Sequence, residues 1–579
     1  MSALFNVASD AADRRLPAVE RLRRSYARQG FGAGHTVDHD GGTLVWYPTP
    51  TPTAGEAAAD RAFLRFDDGF IACVGTLFYD GAGRDGALRR LWDDFRDPKS
   101  ISTDRLFGGF LVAIGKHGKV WLFGDRIGLV KLYTVPRSGV LCTSWLACLD
   151  ALEQPRLDPF GASEYVLLGA NHGDRTPVAG IGIADPACAR ELGDGRELAL
   201  TGPGDWLSER APSSPGEAVE RIAAILASRF TDIGASYGGR IRCALSGGFD
   251  SRLIVASLLH CRLEPDVFVY GSRDSADVVV AEAAARAVGL RLRHVDKQRL
   301  EAEGADDSTA AIAANLDYFD GIPPDGIEDL TADRQTRDAQ SRDHHIALNG
   351  GGGEIFRNFF YLPDRRYSAA DIEQTFYRPY AAAVFRDRGR CHEFRQRMVE
   401  SIAAVTGPGS LDRAMVELIY PLFRNRFWAS RNNSLAARVG AFLTPFIDAP
   451  LVRASANLPL AWKNHGRLEA SLIARMNGVL GSVPLAYGFT PAAGPGWAYR
   501  LRSALAQQRP PALRGRSAQI RSLLKRRPIE APPHLRPLLE GAPAIGELLV
   551  LDALARDEQL VRALTLEALI RSRGIGVGR

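Results

Sequence analysis

The sequence lacks any run approaching the ~18 consecutive apolar residues a membrane span requires, and Asp10 and Asp13 stand where a signal peptide would need an apolar core. Cysteine is scarce and odd in number: Cys73, Cys142, Cys148, Cys188, Cys243, Cys261 and Cys391 include no C-x-x-C pair, which excludes a zinc ribbon or dithiol redox motif and predicts small buried core residues. His392-Glu393 opens like a zinc-protease motif, but Phe394-Arg395-Gln396 follows without a second His one turn later, so solvated helix surface is expected there. Neither sign of charge is in excess. A net charge of +5 over 579 residues is too small to imply nucleic-acid or membrane binding by the whole molecule, and a cytoplasmic location is expected. The phosphate loop of the common NTPases is missing as well: Gly109 to Gly115-Lys116 has one residue too many between its glycines and is followed by His117.

A length of 579 residues with 46% hydrophobic content exceeds what one core usually supports, so at least two domains are expected. From about Phe63 to Leu149, short apolar runs such as Phe70–Val74, Leu111–Ile114 and Lys119–Phe123 alternate with Gly and Asp turns, the pattern of a layered β domain. One helical stretch, Gly86–Asp97, places Leu88, Leu91, Trp92 and Phe95 on one face, which makes this part α+β. The breaker-rich stretch from Thr201 to Gly216 reads as a linker, dividing the chain into 1–205 and 217–579. Beyond it, helix (Ala218–Phe230), strand (Arg240–Leu245), helix (Arg252–Leu259), strand (Asp266–Tyr270), helix (Ala276–Ala287) and strand (Leu290–Val295) predict a doubly wound parallel sheet, an α/β unit that turns largely helical after Ala311. Tyr499–Pro528 carries Arg500, Arg502, Arg509, Arg514, Arg516, Arg521, Lys525, Arg526 and Arg527 without an acid; it reads as a solvated helix and linker or as a grip for an anionic partner.

Arg242 to Ala256 runs from strand through Ser246-Gly247-Gly248 into a helix. Glycines let the backbone approach a ligand, and the helix N-terminus presents N–H groups and a positive dipole end, so Ala244, Leu245, Ser246, Gly247, Gly248 and Ser251 form a candidate pyrophosphate cradle. A carboxylate inside such a cradle needs a cation between itself and the phosphates, which assigns Asp250 to Mg²⁺ and predicts Mg·ATP, split to AMP and pyrophosphate. Tyr270-Gly271-Ser272 closes the neighbouring strand, and Asn349-Gly350-Gly351-Gly352-Gly353-Glu354 forms a third Gly-rich turn; together the three could line one nucleotide.

These segments resemble the asparagine synthetases and their relatives, including β-lactam synthetase and the lasso-peptide cyclases. Ser246–Ser251 is similar to their pyrophosphate-loop (PP-loop) signature, Asp274–Gly289 to the segment after their second strand, Asn349–Phe356 to their second Gly-rich loop and Thr444–Asp448 to their Pro-Phe-Leu-Asp stretch, with Lys463 and Gly466-Arg467 following. Gly124–Tyr133 resembles their glutaminase-domain strand turn, which implies an N-terminal nucleophile (Ntn-type) layered fold for 1–205 and a synthetase domain for 217–579. Glutamine-using members carry Cys at position two; here it is Ser2, and Val74-Gly75 stands where an Asn-Gly pair would support the oxyanion. The resemblance therefore implies a degenerate glutaminase-like domain.

What the resemblance implies overall is a ligase that adenylates a small-molecule or peptide carboxylate for attack by an amine, without glutamine hydrolysis, with ATP and Mg²⁺ as cofactors, a homodimer as a possible assembly, and no nucleic-acid or membrane partner. The alternatives are a glutamine-hydrolysing asparagine synthase acting through Ser2 and a regulatory ATP-binding protein that has lost its chemistry. Glu354 is expected either to hold metal beside Asp250 or to cap the following helix, and Glu354, Lys463 and Tyr487 are the catalytic candidates. Arg252 is expected to reach pyrophosphate or to pair with a surface carboxylate. Asp277 reads as a first-turn carboxylate or a substrate contact and Glu282 as a plain helical residue, while Asp317, Asp320 and Asp325 could face an amine substrate.

Overall fold

The computed structural model describes residues 2–8, 12–48, 62–304, 309–515 and 529–577. Two antiparallel sheets build the first part. One has the strand order 182–183, 133–135, 140–142, 3–8, 42–47, 35–39; the other runs 197–199, 188–191, 119–124, 106–116, 69–79, 63–66, with 82–83 paired beside 69–79. The period-2 alternation of strand side chains decides the layering. Leu4, Leu44 and Trp46 of the first sheet meet Phe70, Ala72, Val74, Leu111, Ala113 and Leu122 of the second. Residues of opposite parity face outward: Phe5, Val7, Val45 and Tyr47 pack on the helices Ala12–Arg28 and Trp145–Ala151, while Ile71, Val112, Ile114 and Trp121 pack on the helix Arg84–Asp94. The result is a helix–sheet–sheet–helix stack.

The breaker-rich stretch is anchored rather than free. Pro203–Leu207 forms a 3₁₀ turn that buries Trp206 against Ala218 and Ile222, and Ser214 caps the helix Pro215–Tyr237 by accepting the Glu217 N–H.

The second part is built on five parallel strands in the order 292–295, 266–270, 241–244, 346–348, 441–443. Successive connections first move outward on one side of strand Ile241–Ala244 and then, from Ile346–Leu348, on the other. Strand order thus reverses between these two, and their carboxyl ends open the crevice in which parallel α/β sheets bind ligands. The buried strand residues Ile241, Cys243, Ile346 and Leu348 join Leu253, Ile254 and Leu258 of the helix Phe249–His260 in one core.

Packing ignores the order of the chain. The last helix, Asp557–Arg573, lies on the helix Pro159–Leu168, where Arg562 Nε donates to the Val166 carbonyl (2.9 Å) and Gln559 Nε2 to that of Leu167 (3.2 Å). Leu560, Ala563, Leu564 and Leu566 thereby share a core with Phe5, Tyr26 and Trp145. No described helix is long and apolar enough to cross a membrane.

Candidate functional site

At the strand-order reversal the chain leaves Ala244, Leu245 N–H donates to the Phe268 carbonyl (2.8 Å), and Ser246-Gly247-Gly248 turns into the helix Phe249–His260. The turn is braced from within. Ser251 Oγ accepts the Ser246 N–H (2.9 Å) and lies 2.9 Å from Ser246 Oγ, and Asp277 Oδ1 accepts the Gly247 N–H (3.1 Å). Asp277 is therefore a first-turn carboxylate of the helix Ala276–Ala287 that holds the loop. A Cβ at Gly247 would stand 2.7 Å from Ala486 Cβ, so only glycine fits there.

The second Gly-rich turn follows strand Ile346–Leu348 on the other side of the reversal and comes into direct contact with the first. A Cβ on Gly350 would lie 2.9 Å from the Asp250 carbonyl carbon, and one on Gly353 only 2.0 Å from Asp250 Oδ1 and 3.0 Å from Glu469 Oε1. Each glycine of the loop thus has its own neighbour that excludes a side chain: Gly353 the carboxylates, Gly350 the Asp250 backbone, Gly351 the Asn349 amide and Gly352, at φ +95°, Ile447. Asn349 Oδ1 accepts the Gly351 N–H (2.7 Å), and the Asn349 N–H donates to the Leu443 carbonyl (2.9 Å). On the third strand end, Tyr270 Oη accepts from Gln340 Nε2 (2.7 Å), the Gly271 carbonyl lies 2.7 Å from His294 Nε2, and the Ser272 carbonyl accepts the Ser275 N–H (3.0 Å). These bonds shape that strand end without joining it to the Ser246–Ser251 turn.

Behind the two turns Arg357 gathers three carboxylates. Its Nη2 donates to both oxygens of Asp250 (2.8 and 2.7 Å), lies 3.6 Å from Glu354 Oε1, and its Nε lies 3.1 Å from Glu469 Oε2. Glu354 Oε2 also accepts the Tyr420 hydroxyl (2.5 Å) and the Gly352 N–H (3.1 Å), so the Glu354 carboxylate both joins the cluster and ties down its own turn. Burial pushes the Asp250 carboxyl up and the Arg357 guanidinium opposes that, while burial together with the charge of Asp250 drives Glu469 well above the usual carboxylate range. Burial works against the charge on Arg357, yet Glu469, Asp250 and Glu354 together hold its pKa above the ordinary value. Burial and the neighbouring Glu354 likewise raise the Tyr420 hydroxyl.

Three carboxylates against one guanidinium leave a formal charge of −3 + 1 = −2, and neither buried oxygen of Glu469 meets a hydrogen-bond donor in good geometry. Among the described residues no three ligands stand arranged to hold a metal ion, because the guanidinium fills the middle of this set. The donor chemistry nevertheless fits a hard divalent cation, since the cluster offers carboxylate oxygens in excess of its one guanidinium.

Tyr487 lies at the rim, 46% exposed, its ring stacked 5.5 Å from that of Phe249; burial raises its hydroxyl, and Arg357 opposes the rise. Other candidates fall elsewhere. Lys463 is fully buried and donates to Glu417 Oε2 (2.6 Å), which corrects its expected place in the reacting centre; burial lowers its pKa against the pull of Glu417. Arg252 corrects both of its alternatives, since its buried guanidinium donates to the carbonyls of Val483 (2.5 Å) and Pro484 (2.9 Å). Its burial lowers the pKa to about 10. Two of the three acidic-loop carboxylates turn to arginines rather than toward an amine: Asp320 is buried, accepts Ser144 Oγ–H and the N–H groups of Trp145 and Leu146, and pairs with Arg431 and Arg438, and Asp317 pairs with Arg573, while Asp325 is exposed. Sequence reasoning missed Arg357, Tyr420 and Glu469. The only available signal was Arg357 standing three residues after Glu354.

In the first part, buried Ser2 donates through Oγ to the Cys73 carbonyl (2.6 Å), which also accepts Trp46 Nε1–H (2.9 Å). Met1 lies outside the described residues. Asp125 accepts the N–H groups of Ile127, Gly128 and Leu129; burial raises its carboxyl to about 6 in spite of these bonds.

Residues 238–476 match the family model described as asparagine synthase, a segment that contains both Gly-rich turns, all three carboxylates, Arg357 and Tyr420. No curated protein is significantly similar to the chain. Among solved structures, a glutamine phosphoribosylpyrophosphate amidotransferase from B. subtilis, complexed with ADP and GMP, is similar at 9% identity over 62% of this chain and 77% of its own, with a TM-score of 0.24, too low to carry an argument. The matched segment supplies a carbon–nitrogen ligase domain of the asparagine synthase type, with the ATP-dependent amide-forming chemistry of that family.

Proposed function

With residues 238–476 belonging to the asparagine synthase family, we propose that the protein adenylates a small-molecule or peptide carboxylate and passes the acyl group to an amine without hydrolysing glutamine. The carrying observation is the meeting of two Gly-rich turns and a carboxylate cluster at the strand-order reversal. In this reading a carboxylate oxygen attacks the α-phosphorus of ATP and pyrophosphate leaves; the amine then adds to the acyl carbon, AMP leaves, and the amine gives up a proton. The first turn of the helix Phe249–His260 would bind the departing pyrophosphate, while the Gly247 N–H holds Asp277 and the Gly248 N–H lies 3.4 Å from Ser246 Oγ. Asp250 and Glu354 would hold Mg²⁺, which when bound neutralises phosphate charge. Tyr270, Gly271, Ser272, Asn349, Gly350 and Gly351 would line the nucleotide, and Tyr487 and Glu354 would touch the reacting groups. Lys463 has no part in this reading, because its ammonium is committed to Glu417.

The same reading divides the chain into a glutaminase-like layered domain, 1–205, and the ligase domain, 217–579, with the domain-crossing contacts of the last helix making one body of them. The two-sheet stack and the resemblance of its strand turn support the Ntn-type assignment. The donation of Ser2 Oγ to a backbone carbonyl supports loss of glutaminase action, since a nucleophile hands its proton to a base. A second reading is glutamine-hydrolysing asparagine synthase; the family match speaks for the family's own reaction more directly than for a ligase that has lost its glutaminase.

ATP–pyrophosphate exchange across a panel of carboxylates, with and without Mg²⁺, tests the proposal. Exchange with at least one carboxylate and no glutamate release from glutamine is the expected result. Glutamate release would select the second reading, and ATP binding without exchange throughout the panel would select a regulatory protein.

A further inference from the structure

The helix Trp497–Gln507 is built inside out. At about 100° per residue, Tyr499, Ser503 and Gln507 fall on one face and Trp497, Leu501 and Leu505 on the face about 160° away. The polar face is the one turned inward: Ser503 and Gln507 are buried, and Gln507 Nε2 donates to Asn464 Oδ1 (3.3 Å). The apolar face is turned outward, with Trp497 75%, Leu501 53% and Leu505 63% exposed. A surface helix of a globular protein orders its faces the other way, so a contiguous Trp-Leu-Leu stripe in water marks a contact surface. Arg500 and Arg502 are both exposed and flank the stripe, each about 100° from its centre.

Along the sequence on either side of this helix the charge has one sign, although Arg475 is itself paired with Glu220. From Ala470 to Ile529 there is no Asp or Glu, against ten Lys and Arg, of which Arg516, Arg521, Lys525, Arg526 and Arg527 lie outside the described residues. Arg514 fastens the chain beyond the helix to the body by donating to the carbonyls of Phe360 (3.0 Å) and Tyr361 (2.6 Å).

We propose that this helix lies on an anionic lipid surface, its Trp497, Leu501 and Leu505 stripe entering the headgroup region and the flanking arginines meeting lipid phosphates and carboxylates. An apolar stripe bordered by cations is the pattern of a helix in the membrane plane, which places no demand on spanning length. Three side chains cover far less than the ~800 Å² per partner of a stable protein interface, whereas a lipid surface adds electrostatic attraction for each nearby cation. The surface contact is independent of the ligase reading.

Sedimentation of the full chain with vesicles of phosphatidylcholine containing about 30% phosphatidylserine, against pure phosphatidylcholine, tests it. The wild-type chain should bind the anionic vesicles, the triple variant W497S/L501S/L505S should bind at least about tenfold more weakly with an unchanged melting temperature, and R500Q/R502Q should lessen the dependence on anionic lipid. Equal binding by the triple variant would overturn the proposal, because basic residues elsewhere would then suffice. Failure of the wild-type chain to bind would overturn it too and would point to an acidic protein surface. The triple variant should keep wild-type pyrophosphate exchange without vesicles, so either failure leaves the ligase reading standing.

Discussion

The surroundings of Ser2 and the cluster around Arg357 are both buried and polar, and they differ in how their bonds close. Ser2 and Trp46 donate to one carbonyl, Cys73, and Asp125, elsewhere in the layered part, is taken up by successive backbone N–H groups. Around Arg357 the account stays open: three carboxylates, one cation, and a buried Glu469 without a well-placed donor. A buried polar group left unmatched is costly, so it persists where a ligand completes it, while a fully matched network serves the fold. On the proposed ligase reading, this contrast puts chemistry at the second region and support at the first.

The largest effect that could break this contrast is at Asp250. Asp250→Asn removes the carboxylate nearest the phosphate turn with little change in shape, and pyrophosphate exchange should fall by about a thousandfold or more, as for loss of a group stabilising transition-state charge; retained exchange would show that the open cluster is not the reacting centre. Asp320→Ala tests the opposite kind of site, leaving Arg431 and Arg438 buried without their partner, and should cost about 3–5 kcal/mol in denaturant unfolding with exchange per folded molecule preserved. Glu469→Gln keeps the volume and replaces the buried carboxyl beside Asp250 with an amide. Exchange should then need about 10- to 100-fold more Mg²⁺, the size of effect expected for groups that support a metal site. Ser2→Ala should change exchange less than about twofold and leave glutamate release at background, since no donor or base depends on its hydroxyl.

Much of the parallel sheet was legible because its signals are local. Strand Asp266–Tyr270 and helix Ala276–Ala287 form where their apolar runs predict them, the structure adding a Ser275 cap, and the Ser-Gly-Gly turn follows its strand as its glycines require. In the layered part the predicted Leu111–Ile114 segment is the middle of a longer strand, Leu106–Lys116, because paired neighbours extend a strand beyond its apolar run. The site was legible only where its residues are contiguous. Asp250, Arg357, Tyr420 and Glu469 sit on different elements, and no spacing rule links them. Arg252 and Lys463 were misplaced for a related reason: position beside a motif does not reveal which way a long side chain points, and both turn toward partners far along the chain. The acidic loop misled because exposed and buried carboxylates look alike until the arginines that receive them, Arg431, Arg438 and Arg573, are brought alongside.

The placement of the helix Asp557–Arg573 against Pro159–Leu168 bears on synthesis. As the chain emerges from the ribosome, the two sheets can pair early, but the flank beside Tyr165 and Trp145 stays bare until residues 557–573 arrive. A nascent chain halted before residue 557 would expose that flank, so completion of the first two hundred residues does not by itself close the amino-terminal half.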